Sequence, residues 1–168
     1  YVIGLPLGVL MVAGEQGGVM PLPRPVMTVL NFVINILRSV PFLILMVLVI
    51  PLSRLIIGTS IGTVATIIPL IVAAFPFVAR LVEASIREVD KGVVEAAQSM
   101  GCSPFQIIAK VLIPESRPSL MSGFTTAFIT ILSYGAMAGA IGGGGLGSMA
   151  LNLGYQRRMF IVLWVSVI

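Results

Sequence analysis

Three apolar runs, Val26 to about Pro51, Ile61 to Val82 and Ser119 to Ile141, each reach the roughly 20 residues that an α-helix needs to cross the hydrocarbon core of a bilayer. From the end of the second run to the start of the third, Arg80, Glu83, Arg87, Glu88, Asp90, Lys91, Glu95, Lys110, Glu115 and Arg117 crowd into one segment. At roughly 2.5 to 3.5 kcal/mol for each charge placed at the bilayer centre, that segment stays outside the membrane. The predicted fold class is therefore all-α, a polytopic transmembrane helix bundle. The whole chain, 1–168, reads as one membrane domain with a polar elbow at about 83–117. Composition agrees: 58% of residues are hydrophobic and 10% charged, and the mean hydropathy is +1.12. Soluble domains carry about a quarter charged residues.

The other segments are shorter. Tyr1 to Ala13 is about half a span and looks like the end of one, while Met159 to Ile168 begins another run that the chain end cuts off. The sequence is thus expected to be a piece of a longer polypeptide. Gly14 to Pro25 reads as a Gly- and Pro-rich turn carrying Glu15 and Arg24, Leu52 to Ser60 as a brief turn, and Gly142 to Arg158 as a mobile, polar connection. Pro69 and Pro76 predict kinks in the second span. The first span is polar in its first half, with Asn31, Asn35, Arg38 and Ser39, and apolar in its second. Counting crossings puts Arg24, Arg80, Arg87, Lys91, Lys110 and Arg117 on one side and Arg54, Arg157 and Arg158 on the other. Six against three places the elbow in the cytoplasm.

Several function classes drop out. The net charge is +4, but the basic residues are sparse and not clustered with aromatics, so no nucleic-acid partner is expected. Cys102 is the single cysteine and there is no histidine, which excludes an internal disulfide and argues against a zinc site. The glycine-rich run Gly142 to Gly147 follows no strand and is not closed by Lys-Ser or Lys-Thr, so it reads as a flexible loop and not a phosphate cradle. No catalytic constellation is present, and the acids and bases of the polar segment read as ordinary solvated charges.

Two features lie inside the spans. Ser122, Thr126, Thr130, Ser133 and Met137 recur at steps of four, four, three and four, and so share one helix face. Such a stripe either borders a water-filled path or supplies interhelical hydrogen bonds. Arg38 is the one charge well inside an apolar run. It either snorkels to the cytoplasmic end, with Pro41 re-aiming the helix, or serves as a charge in a translocation path or in an interhelical pair.

The polar segment has its own local code. A helical pattern from Gly92 to Met100 stops at Gly101, a natural left-handed C′ residue. A second opens at Ser103, with Pro104 at the first helical position and Ser103 and Gln106 forming a capping box. Ile107, Ile108, Val111 and Leu112 give it an apolar face before Pro114 ends it. Val93, Val94, Ala97 and Met100 offer a small apolar surface on the first helix, and Ala96 and Ala97 permit close approach.

Glu95-Ala96-Ala97, three residues, Gly101, nine residues, then Val111 to Pro114 resembles the EAA motif of binding-protein-dependent ABC importer permeases. Val111 and Ile113 depart conservatively from the usual isoleucine and leucine. The runs NILRSVPFLILMVLVIPLSRLIIGTSIG, PFVARLVEASIREVDKGVVEAAQSMGCSPFQIIAKVLIPE and SYGAMAGAIGGGGLG are similar to those of methionine ABC importer permeases, with QRRMFIVLWV matching less well. The resemblance implies a five-helix permease in a bacterial inner membrane, working as a homodimer with two ATP-binding subunits inside and a substrate-binding lipoprotein outside. It implies that ATP and magnesium are bound by those partners and that this chain needs no cofactor and is not itself an enzyme. It also implies that Val93, Val94, Glu95, Ala96, Ala97, Met100, Gly101, Ser103 and Pro104 form a coupling helix and its bend. Methionine is the implied cargo; another amino acid, a small peptide or an osmolyte fits the same mechanism, and a passive channel or structural subunit is the contrasting class.

Overall fold

The computed structural model describes residues 1–60, 62–139 and 142–167, all helices and turns with no strand among them. In order these are α1 (Gly4–Ala13), α2 (Arg24–Ser39), α3 (Phe42–Ile57), α4 (Ile67–Arg87), α5 (Lys91–Ser99), α6 (Pro104–Ile107), a π-helical turn (Ile108–Leu112), α7 (Ile113–Glu115), α8 (Arg117–Ala138), α9 (Gly145–Met149), a second π-helical turn (Ala150–Gln156) and α10 (Phe160–Val167). By length and composition α4 and α8 can each cross a membrane alone.

Four expectations about where helices begin and end are corrected. Val26 to Pro51 is not one continuous helix: α2 ends at Ser39 and α3 begins at Phe42. The proline ring at Pro41 disfavours helical backbone at Val40, and Pro41 itself is extended, with ψ 136°. The next helix then runs through Pro51 to Ile57, so Leu52 to Ile57 is helix and not turn. The second span starts at Ile67, six residues after the position expected for it, and continues to Arg87. Finally, Gly142 to Arg158 holds α9 and the second π-helical turn where a mobile connection was expected.

The chain divides into two compact units. The first joins Tyr1–Arg38 to Phe75–Ala127. Its core is Val9 from α1, Val78, Val82 and Ile86 from α4, Ala97, Ile107 and Leu112 from the polar segment, and Leu120 and Ala127 from α8. The α4 members recur at steps of four, one face of a helix. Close approach of α1 depends on Gly8, where a Cβ would lie 2.6 Å from the carbonyl oxygen of Ala79 and from Cβ of Val82. Tyr1 donates its hydroxyl to the carbonyl of Leu120 at 3.2 Å and packs edge-on against Phe124 at 4.9 Å. Ser119 on α8 donates to Ser85 on α4 at 3.1 Å.

The second unit joins Ser39–Ala74 to Phe128–Ile168. Phe42 stacks on Tyr134 with ring centroids 4.4 Å apart and planes 5° from parallel. Leu45, Met46 and Val49 line the buried face of α3. Ser53, fully buried on the same helix, returns its hydroxyl to the carbonyl of Val49 at 3.5 Å. Its need for a partner is thus met within its own helix.

Candidate functional site

The segment joining α4 to α8 is a built elbow, and each of its corners has a local cause. Asp90 caps α5 by accepting the Gly92 N–H on its carboxylate at 2.6 Å. At the far end Gly101 takes φ 76°, the Cys102 N–H donates to the Ala97 carbonyl at 3.2 Å and the Gly101 N–H to that of Gln98 at 2.9 Å. That pair of bonds is a Schellman motif. Ser103 and Gln106 complete the expected capping box, the Ser103 N–H donating to the Gln106 side chain at 2.9 Å and the Gln106 N–H to the Ser103 hydroxyl at 3.4 Å. Pro104 occupies the first turn of α6.

Pro114 does not end the helix it was expected to end. The chain widens into the π-helical turn at Ile108–Leu112 and stays helical through α7. A wider turn removes the clash between the proline ring and the carbonyl one turn earlier. The Ser116 hydroxyl then donates to the carbonyl of Leu112 at 2.7 Å.

The elbow has an inner and an outer face. Ala97, Ile107 and Leu112 are buried in the core of the first unit, with Val94, Ile108 and Val111 packed beside them. Met100 is 77% exposed and Phe105 78%; Val93, Glu95, Ala96, Gly101 and Pro104 are exposed with them. Phe105 is absent from the expected site residues, although its place beside Pro104, out of step with the Ile107 face, marks it as outward-facing.

At the base of the elbow the charges are organised, which corrects the reading of them as solvated. Glu83 is 7% exposed and accepts from Arg80 at 2.6 Å and from Arg87 at 2.9 Å. Arg80 also donates to the side-chain carbonyls of Asn31 at 2.9 Å and Asn35 at 2.8 Å on α2. Arg87 makes two bonds to Glu15, 3.0 and 2.5 Å, in the turn after α1. The Arg80, Glu83, Arg87 spacing, three then four, was the available sequence signal. A groove of about 630 Å³ lies between that turn and the elbow, lined by Val12, Glu15, Arg87, Lys91, Val94 and Glu95 among others.

Ser122, Thr126, Ser133 and Met137 are exposed on α8 and Thr130 is half-buried. Thr126 donates its hydroxyl to the carbonyl of Ser122 and Ser133 to that of Ile129, both at 3.1 Å. Those two hydroxyls therefore have their protons held by their own helix. Arg38 is exposed in the last turn of α2. Among the described residues it makes no salt bridge, and it shares a groove of about 400 Å³ with Phe77, Arg80, Glu83 and Arg87.

Comparison with known proteins agrees with this architecture. Residues 4–168 match the family model described as binding-protein-dependent transport system inner membrane component. The chain is 48% identical, over 168 residues, to the probable D-methionine transport system permease protein MetI of Vibrio cholerae, covering 100% of this chain and 74% of that protein. It is 48% identical over 145 residues to the methionine import system permease protein MetP of Bacillus subtilis, covering 86% of this chain and 65% of that one. Among solved structures, a chain of the MetNI methionine ABC transporter in an inward-facing conformation superposes with a TM-score of 0.92 at 44% identity, over 99% of this chain and 78% of that one.

Proposed function

Since the chain belongs to the family of binding-protein-dependent transport system inner membrane components, we propose that it is the permease subunit of an ATP-driven ABC importer whose cargo is methionine. The observation that carries the reading is the elbow: a doubly capped, core-anchored turn whose tip presents Met100 and Phe105 to a partner. Identity of 48% over the full chain to a methionine permease supports the cargo.

In this reading the chain pairs with a second copy of itself in the bacterial inner membrane. Two ATP-binding subunits dock on the elbows from the cytoplasm, and a substrate-binding lipoprotein delivers methionine from outside. The chain hydrolyses nothing and uses no cofactor of its own; ATP and magnesium belong to the partner subunits. Val93, Val94, Glu95, Ala96 and Met100 form the docking helix, with Ala97 seating it on the chain's own core. Gly101, Ser103 and Pro104 hold the bend behind them. When the ATPase dimer closes, the seated elbow carries α4 with it, because Ala97, Ile107 and Leu112 share a core with Val82 and Ile86. Arg38 and the stripe Ser122, Thr126, Thr130, Ser133 and Met137 border the path for a zwitterionic substrate, offering a guanidinium and hydroxyl oxygens.

The test is uptake of radiolabelled methionine into proteoliposomes holding the full-length permease, its ATPase and its binding protein. Uptake that requires ATP and the ATPase subunit is expected. Equal uptake without nucleotide would make the chain a passive channel and sink the reading.

A further inference from the structure

The charge cluster at the base of the elbow ties together α4, α2 and the turn after α1, adding directional bonds to the apolar contact of Met11, Ile34 and Ala79. Glu83 and Arg80 lie one turn apart on α4, Arg80 reaches Asn31 and Asn35 on α2, and Arg87 reaches Glu15 beyond the end of α1. Glu83 is the hub, since both arginines donate to its two oxygens. A carboxylate this buried is costly unless paired, and removing one member of such a set leaves its neighbours uncompensated. The cluster therefore behaves as a unit. Arg87 is also the last residue of α4, and only Glu88, Val89 and Asp90 separate it from α5.

A lever works only if its base is rigid. Force applied to the elbow can be absorbed by bending where α4 gives way to the three non-helical residues, or it can move α1, α2 and α4 together. The ties from Glu83 favour the second outcome, because α2 and the α1–α2 turn are bonded to the same two turns of α4 that carry the elbow. These bonds use fork-shaped guanidinium geometry, which fixes direction as well as distance.

We propose that Glu83 is a positioning residue of coupling: through Arg80 and Arg87 it locks α2 and the α1–α2 turn to the base of the elbow, so that elbow movement is delivered to all three segments as one body. The proposal rests on the coupling reading of the elbow and adds a residue to which that reading assigns no part.

The experiment compares Glu83→Gln, Glu83→Asp and Glu15→Gln in the reconstituted full complex. Methionine taken up per ATP hydrolysed is the readout, with co-purification of the ATPase as the control for assembly. Glu83→Gln is expected to assemble and hydrolyse ATP while transport per ATP falls about fivefold, within the range seen for mutations along coupling networks. Glu83→Asp, which keeps the carboxylate, should retain more of it, and Glu15→Gln, which weakens only the exposed tie from Arg87 to the α1–α2 turn, should lower the ratio about twofold. An unchanged ratio in Glu83→Gln overturns the proposal. Should that variant fail to assemble, Glu15→Gln decides: an unchanged ratio there overturns it equally. Failure of the underlying reading is separately visible, because Glu95→Arg and Gly101→Arg would then transport normally.

Discussion

Arg87 and Glu15, 72 positions apart in sequence, meet through two hydrogen bonds that join the end of α4 to the turn after α1. Their side chains are 45% and 42% exposed, whereas that of Glu83, which shares Arg87, is 9% exposed. Exposure therefore separates the two pairs energetically. A double-mutant cycle between Glu15 and Arg87, read by thermal unfolding in detergent, should return about 0.2 to 1 kcal/mol. Glu83→Ala should cost about 2 kcal/mol, because it removes the buried carboxylate to which both arginines donate, the more enclosed of them Arg80 at 20% exposed. Equal costs at the two acids would show that burial does not set the strength of this cluster.

Gly101 supplies a conformation, not space. A Cβ there meets nothing within 4 Å, but φ is +76°. Gly101→Ala should destabilise the elbow by about 1 kcal/mol, and Gly101→Asn by less, since asparagine tolerates the left-handed region. Hydrogen exchange at the Cys102 amide, which closes the Schellman motif, would report this opening directly; no change in its protection would contradict the account.

Met100 and Phe105 carry little of the chain's own stability. Replacing either with alanine should shift unfolding by less than about 0.5 kcal/mol. The same changes should weaken capture of the ATPase subunit by about tenfold, as truncating a buried anchor at an interface does. Quantified binding of the purified ATPase to the variant permease tests both halves. Ala97→Leu is the contrast: its site is filled by the chain's own core, so folding suffers first.

Gly8 is limited by space. Any side chain there drives into Ala79 and Val82 on α4, so Gly8→Val should cost about 1 to 3 kcal/mol and loosen α1 from the first unit. Cysteine cross-linking of α1 to α4, faster in the parent than in Gly8→Val, would register the separation.

How much of this was legible beforehand depends on the range of the interaction. The caps at Ser103 and Gln106, the turn at Gly101 and the first-turn position of Pro104 were all readable, because each involves residues three or four apart. The α8 stripe was readable for the same reason. The break between α2 and α3 was only hinted at by Pro41, since proline biases one dihedral and cannot say what each helix packs against. Pro114 and Pro51 misled for a related reason: a helix interior tolerates proline once a widened turn or neighbouring side chains satisfy the freed carbonyls. Glu83 looked like one solvated acid among several. Its burial depends on Arg80 and Arg87 on its own helix, which spacing suggests, but also on Asn31, Asn35 and Glu15, which no local pattern connects to it.

The sequence by itself determined that this chain is a helical membrane protein with one capped, charged elbow, because lipid admits few backbone solutions and capping chemistry acts over one turn. The tertiary structure alone decided that Ala97 and Met100, expected on one apolar surface, part company, Ala97 buried in the chain's own core and Met100 exposed. It also decided that Glu83 is a hub. Burial and long-range pairing are properties of which helices meet, and periodicity reports only that a face exists, not what covers it.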